Sequence, residues 1–198
     1  MSAPDVRRDL ARLVAEPTSF LTHPDPHLRR LAVSALTGTR TGTIDQFASA
    51  LADEVPTVRA EAAEALGHCG AGALPALDGA RRDVDTRVVE ATATAYGEIG
   101  DPIAVDWLIQ QAEDADDRGV REAAVAALGA IGDERARSVL IALTASGPPQ
   151  IRRRAVVALT VFDGADVETA IAGAGEDRNP MVREAAQMIV GRSVPEAG

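Results

Sequence analysis

The chain has 198 residues, a formal net charge of −10 and a single cysteine, Cys69. An acidic balance speaks against a surface that neutralises nucleic-acid phosphates, so no nucleic-acid partner is expected, and one cysteine excludes an internal disulfide. No apolar run is long enough to span a bilayer, and Met1-Ser2-Ala3-Pro4-Asp5 lacks the basic and apolar regions of a signal peptide. A cytoplasmic, reducing compartment away from membranes is therefore expected.

Residues 1–24 read as an N-terminal capping region. Val6, Leu10, Leu13 and Val14 fall on one helical stripe with Arg7, Arg8 and Arg12 opposite, and Phe20 is placed to close an open end. From residue 25 a unit recurs. Its lead positions are Leu28, Val58, Val88, Val120, Ile151 and Val182, separated by 30, 30, 32, 31 and 31 residues. A fixed period in this range marks stacked repeats. The repeats occupy 25–53, 54–83, 84–114, 115–146, 147–177 and 178–192, followed by a tail over 193–198 that is expected to fray.

Each copy reads as a helix. Counting the lead as zero, apolar or small residues recur at zero, +4, +7 and +8, as in Val120, Ala124, Ala127 and Leu128, which draws one stripe at 3.6 residues per turn. Alanine dominates, combining high helix propensity with little bulk. Asp25, Asp85, Asp117 and Asn179 stand at −3 as N-caps. Pro26, Pro56, Pro149 and Pro180 stand at −2, in a first turn that needs no N–H. Gly67, Gly97, Gly129 and Gly191 at +9 suit left-handed C-caps; Thr37 and Thr160 break that rule, so those two ends should differ. Second apolar stretches at 44–51, 74–77, 103–109, 139–143 and 167–174 predict a partner helix in each of the first five repeats; the sixth reads as a single helix, 180–191. One such pair cannot bury its own apolar face, and stacking on the next pair does so.

Val120-Arg121-Glu122-Ala123-Ala124-Val125-Ala126-Ala127-Leu128-Gly129-Ala130-Ile131-Gly132-Asp133 resembles the short HEAT-like repeats of the type named after phycobilin lyase subunits, as does the helix after Asp101-Pro102. The resemblance spans roughly residues 25 to 192. It implies an all-α fold, a right-handed α-α superhelix (solenoid) of about six HEAT-like helical hairpins. It also implies that the Val-Arg helices line the concave face and contact partners. An Arg ladder follows the lead residues at Arg29, Arg59, Arg121, Arg152 and Arg183; Val89 departs from it in the third repeat. The expected function is a non-catalytic scaffold binding a protein partner along that face. The alternative the resemblance implies is an accessory that attaches a bilin, as phycobilin lyase subunits do.

With positions −1, +2, +3, +6 and +10 outward, the partner-binding residues are Arg30, Glu61, Glu64, His68, Arg87, Glu90, Glu98, Glu122, Arg153, Arg154 and Met188. The centre of this set is acidic and its flanks are basic, which suits a partner of complementary pattern. His68 should meet Glu98 one repeat on. Three histidines and no His-Glu dipeptide are poor material for a metal site, so no metal and no cofactor are expected. Cys69 beside His68 has no orienting third group and reads as a partly buried thiol, which leaves no catalytic constellation. Trp107 should lie at the rim of its helix, where it could anchor an interface or pack half-buried. Met181 and Met188 offer an apolar patch on the last repeat for a second copy of the chain or for a partner.

Overall fold

The structure, a computed structural model, describes residues 3–193, with the side chains of residues 9–191. The side-chain positions expected for Val6, Arg7 and Arg8, and the fraying expected of the tail beyond Ser193, lie outside the described residues. Among those described there are helices and no strands. The chain divides into two compact units, Met1–Ile99 and Gly100–Gly198.

The first unit holds α1 (Ala3–Ala15), α2 (Pro26–Gly38), α3 (Ile44–Ala50), α4 (Pro56–Gly67), α5 (Leu74–Ala80) and α6 (Thr86–Ile99). The second holds α7 (Val105–Asp114), α8 (Arg118–Ile131), α9 (Arg137–Ala145), α10 (Pro149–Ala158), α11 (Ala165–Ala174) and α12 (Pro180–Ser193). In the first unit α4 packs between α2 and α6, while α3 lies on α4 and α5 on α6. In the second unit α10 packs between α8 and α12, with α7 on α8, α9 on α10 and α11 on α12. The second helix of a repeat thus rests on the first helix of the next, which is why one hairpin alone has no closed interior.

The apolar stripe is the core. All six lead residues are buried, and Ala32, Ala62, Thr92, Ala124, Ala155 and Ala186 at +4 are sealed from solvent. The buried arc is wider than the sequence stripe. Val33, Ala63, Ala93, Val125 and Val156 at +5 are fully buried, and Ala91 and Ala185 at +3, expected to face outward, are buried as well. A first helix flanked by neighbouring first helices and by a second helix covers more than one stripe. Val190, at a core position by its spacing, is half exposed because no later helix among the described residues covers it.

The glycines at +9 do not cap helices. Left-handed backbone falls three residues later, at Gly70, Gly100 and Gly132, where φ is 71°, 73° and 68°. Gly67 and Gly129 instead permit close approach. A β-carbon on Gly67 would lie 2.9 Å from the Ala95 Cα, and one on Gly129 would lie 2.8 Å from the Ala158 Cα. The glycine of one first helix thus seats against the +7 alanine of the next. Thr37 and Thr160 do mark different ends: α2 runs on to Gly38 and turns at Arg40, with φ 55°, and α10 tightens into a 3-10 turn over Leu159–Val161. The N-caps form as their spacing predicts, with Asp25 accepting from the His27 N–H, Asp85 from Arg87, Asp117 from Val120 and Asn179 from Met181.

In the first, second and fifth repeats the arginine after the lead residue ties the hairpin together. Arg29, Arg59 and Arg152 each donate Nε and Nη2 to both oxygens of an aspartate beyond the following helix: Asp53, Asp83 and Asp177, at 2.6–2.8 Å. Such fork-on-carboxylate pairs are directional as well as strong. The same aspartates accept the backbone N–H two residues on, from Val55, Asp85 and Asn179. The remaining donors reach back to main-chain oxygens, as Arg59 Nη1 does to the Asp53 carbonyl at 2.9 Å. At the head of the first repeat His23 stands where the aspartate would, and its Nδ1 accepts the Asp25 N–H at 3.0 Å. The Arg152 guanidinium and the backbone N–H of Asn179 hold the Asp177 carboxyl down at about 2, against a smaller upward push from burial. Around Asp53, burial pushes the carboxyl up, but Arg29 and the Val55 N–H outweigh it and the net shift is downward.

A depressed folded-state pKa contributes stability that is complete above the unfolded value, near 4, and is lost as pH falls through the folded value. Replacing Asp177 by Ala strands Arg152, whose side chain is 2% exposed, and should cost about 3 kcal/mol near neutral pH. Between pH 4 and about 2 the wild type should lose this contribution while the variant has none to lose, so thermal melts of the two converge as acid is added. Separately, Gly129→Val should cost about 1–3 kcal/mol in urea unfolding through overpacking against Ala158. Gly79→Ala, with nothing within 4 Å of its new methyl, should be neutral or stabilising by about 0.5 kcal/mol.

Candidate functional site

In the first unit the outward side of α4 and α6 carries a cluster of carboxylates. Glu61 and Glu64 lie one turn apart on α4, and Glu90 and Glu98 stand on α6. His68 follows α4, and its Nδ1 lies 3.3 Å from Glu98 Oε2, the meeting expected one repeat apart. The residues are positioned by the core behind them: burial of Val58, Ala62 and Leu66 turns Glu61 and Glu64 outward, and burial of Val88, Thr92 and Tyr96 does the same for Glu90. Glu64 feels all of its neighbours. Burial first, then the charges of Glu61, Glu98 and Glu90, push its carboxyl above the usual range, and His68 pulls it back. Glu64 is thus the carboxylate whose charge its neighbours disfavour, while Arg30 pairs with Glu61 and His68 stands beside Glu98.

Two arginines expected on this face are already paired. Arg30 Nη1 donates to Glu61 Oε2 at 2.8 Å, joining α2 to α4. Arg87 folds onto its own N-cap, gripping both oxygens of Asp85 at 2.8–2.9 Å. Sequence spacing gives the face on which a side chain lies but not the partner that it finds there.

In the second unit the corresponding positions are largely apolar. Val157 and Val161 are half exposed, Met188 is 61% exposed, and Ala126 and Ala130 lie open on α8. A shallow cleft of about 420 Å³ runs here between α8 and α10, walled by Ala126, Ala130, Val157 and Val161 with Arg153 and Arg154 at its edge. Glu122 is shared between Arg118 at 3.3 Å and Arg154 at 3.4 Å, and Arg153 is exposed. Of the run Arg152-Arg153-Arg154, only Arg152 turns inward, to its aspartate.

Cys69 sits on the wall of a cleft of about 860 Å³ that also meets Thr37, Phe47 and His68. Its Sγ lies 3.4 Å from the Ala65 carbonyl oxygen, and burial pushes the thiol up, the reverse of what nucleophilic chemistry needs. Trp107 is half-buried on α7. Among the described residues no three His, Cys, Asp or Glu side chains stand close enough to hold a metal ion, and no helix is long and apolar enough to cross a membrane. The aspartates of the ladder were missed from sequence although a signal existed: Asp53, Asp83 and Asp177 all fall five residues before a lead position.

Comparison with known proteins is consistent with this geometry. The family described as HEAT repeats matches residues 14–95 and 73–160. No curated protein matches the chain. Among solved structures, the complex of CpcE and CpcF of phycocyanin lyase from Nostoc sp. PCC7120 is similar with a TM-score of 0.64 and 23% identity, over 74% of this chain and 97% of that one. A designed armadillo repeat protein in complex with peptide (KR)4 gives 0.63 and 17%, over 90% and 98% of the two chains. YibA of E. coli gives 0.66 and 19%, over 89% and 69%. At these identities the likeness is one of fold.

The carboxylate cluster makes a spectroscopic prediction. In a carbon-detected NMR titration the Glu64 carboxyl should titrate above an ordinary glutamate, and Glu98→Gln should bring its midpoint down. A midpoint unmoved by Glu98→Gln would mean that these charges do not sense one another.

Proposed function

The chain belongs to the HEAT-repeat family, and we propose that it is a non-catalytic scaffold that binds a protein partner on the outward face of its first helices. The observation that carries this is the division of labour along each helix. Positions facing inward are Ala, Val and Leu sealed from water, and three ladder arginines, Arg29, Arg59 and Arg152, are consumed by their aspartates. The outward residues stand outside that core and that ladder, and they differ in chemistry from repeat to repeat. Glu61, Glu64, Glu90 and Glu98 favour a cationic stretch of the partner, and Val157, Val161 and Met188 favour an apolar one. The residues expected from sequence serve as that surface, with Arg30 and Arg87 withdrawn into pairs of their own.

Two of the similar structures support a partner-binding role without fixing its details. One is a complex of CpcE with CpcF, and the other holds the peptide (KR)4. The likeness to CpcE and CpcF reaches the fold alone and lends bilin attachment no residue of this chain.

A fluorescent peptide of alternating Lys and Arg is the direct probe. Binding measured by anisotropy should weaken at least tenfold when Glu64 and Glu98 are both replaced by Lys, and should weaken as salt rises. It should also weaken as pH falls through the raised Glu64 pKa, because the carboxylate is lost there. Affinity indifferent to the double replacement would remove the acidic cluster from the binding surface.

A further inference from the structure

Among the ladder arginines at 29, 59, 121 and 152, whose following helix pair lies within the described residues, one rung is open. Arg121 follows the lead residue of the fourth repeat as Arg29, Arg59 and Arg152 follow theirs, yet it meets no carboxylate. The residue five before the next lead, which is aspartate at 53, 83 and 177, is Ser146. Of the five N–H bonds on the Arg121 guanidinium, Nε donates to the Ala112 carbonyl at 3.1 Å, and Nη1 and Nη2 make no hydrogen bond among the described residues. The group nevertheless points at the right place. A β-carbon on Gly147, the residue after Ser146, would lie 3.7 Å from Arg121 Nη2.

Ser146 is accessible and extended. It closes α9 with φ −117° and ψ 153°, it is exposed, and its Oγ donates to the Ala142 carbonyl at 3.0 Å. The surroundings differ from the closed rungs in one further respect. There the carboxylate accepts the N–H two residues on; here that residue is Pro148, which has none. An acidic group at this position therefore lacks that backbone donor and leans more heavily on arginine, which favours a group with more oxygens and more charge. Arg152 passes close by, its Nη1 donating to the Gly147 carbonyl at 2.6 Å.

We propose that Ser146 is a phosphorylation site and that its phosphate completes the fourth rung by engaging Arg121. The co-reactant is a nucleoside triphosphate delivered by a protein kinase. The Ser146 oxygen attacks the terminal phosphorus, the bond from that phosphorus to the bridging oxygen breaks, and the nucleoside diphosphate leaves. The hydroxyl proton passes to the kinase's base. The product carries up to two negative charges and three acceptor oxygens, a match for the guanidinium fork. It gives up the bond to the Ala142 carbonyl and places charge near the end of α9, a cost that the arginine pair exceeds, as it does for the aspartates that follow α3 and α5. Closing the rung ties the start of α8 to the link into α10 and stiffens the middle of the second unit. This inference is independent of the partner-binding surface.

The test uses the full chain with phosphoserine incorporated at position 146 during translation, beside the unmodified chain, each also carrying Arg121→Gln. The phosphorylated chain should melt a few degrees higher than the unmodified one, on the order of 4 °C. The difference should vanish with Arg121→Gln. In phosphorus NMR the second ionisation of the phosphate should lie lower with Arg121 than with Gln, a readout that survives any destabilisation by the substitution. No rise in melting temperature, or one equal in both backgrounds, overturns the proposal. So does an equal, Arg121-dependent rise when inorganic phosphate is added to the unmodified chain, because the socket then serves a free anion. Protein isolated from its source cells under phosphatase inhibition should yield a phosphopeptide at Ser146; unphosphorylated peptide throughout growth would likewise overturn it.

Discussion

An arginine–aspartate fork in the first, second and fifth repeats ties the start of a hairpin to the turn that follows it. The apolar stripe supplies most of the driving force, but hydrophobic burial has no direction and a helix lined with alanine can slide. The fork has direction. Arg29, Arg59 and Arg152 reach across 24 or 25 residues of chain to their aspartates, and the aspartates fix the turn that launches the next helix. A register error of one residue would strand a buried guanidinium, which costs far more than a misplaced methyl group.

With register fixed, packing can be tight. Alanine and glycine leave little side chain between successive first helices, and at Gly67 and Gly129 the backbones approach within a distance that no β-carbon tolerates. Closeness of this kind carries a functional consequence. The inward half of each first helix is fully occupied by structure, so its outward half is free to vary without disturbing the fold. Surface chemistry and repeat stability become separable, and the same scaffold presents carboxylates in one unit and valine and methionine in the other.

The period, the helices, their N-caps and the inward stripe were legible in the sequence because each rests on local spacing. The glycine assignment was not. Gly67 and Gly129 stand at the ends of apolar stripes, which is where a C-cap would stand, and only the neighbouring helix reveals that they serve close approach. Glu98 was expected beside His68, and the two side chains do meet. Pairing was not legible: Arg30 and Arg87 each meet a carboxylate, one on the adjacent helix and one in its own cap. The buried +5 residues went unnoticed because a stripe counted along one helix does not register a second neighbour. The ladder was seen as arginines alone. Its aspartates share a fixed distance from the lead position, but their meaning depends on the return of the chain.

A double-mutant cycle on Arg59 and Asp83 in urea unfolding tests the central claim most directly. If the fork sets register, Arg59→Ala and Asp83→Ala should each be strongly destabilising, and the coupling between them should exceed about 1.5 kcal/mol. A coupling within about 0.3 kcal/mol of zero would mean that the two side chains merely lie together, and that packing alone holds the hairpins in place.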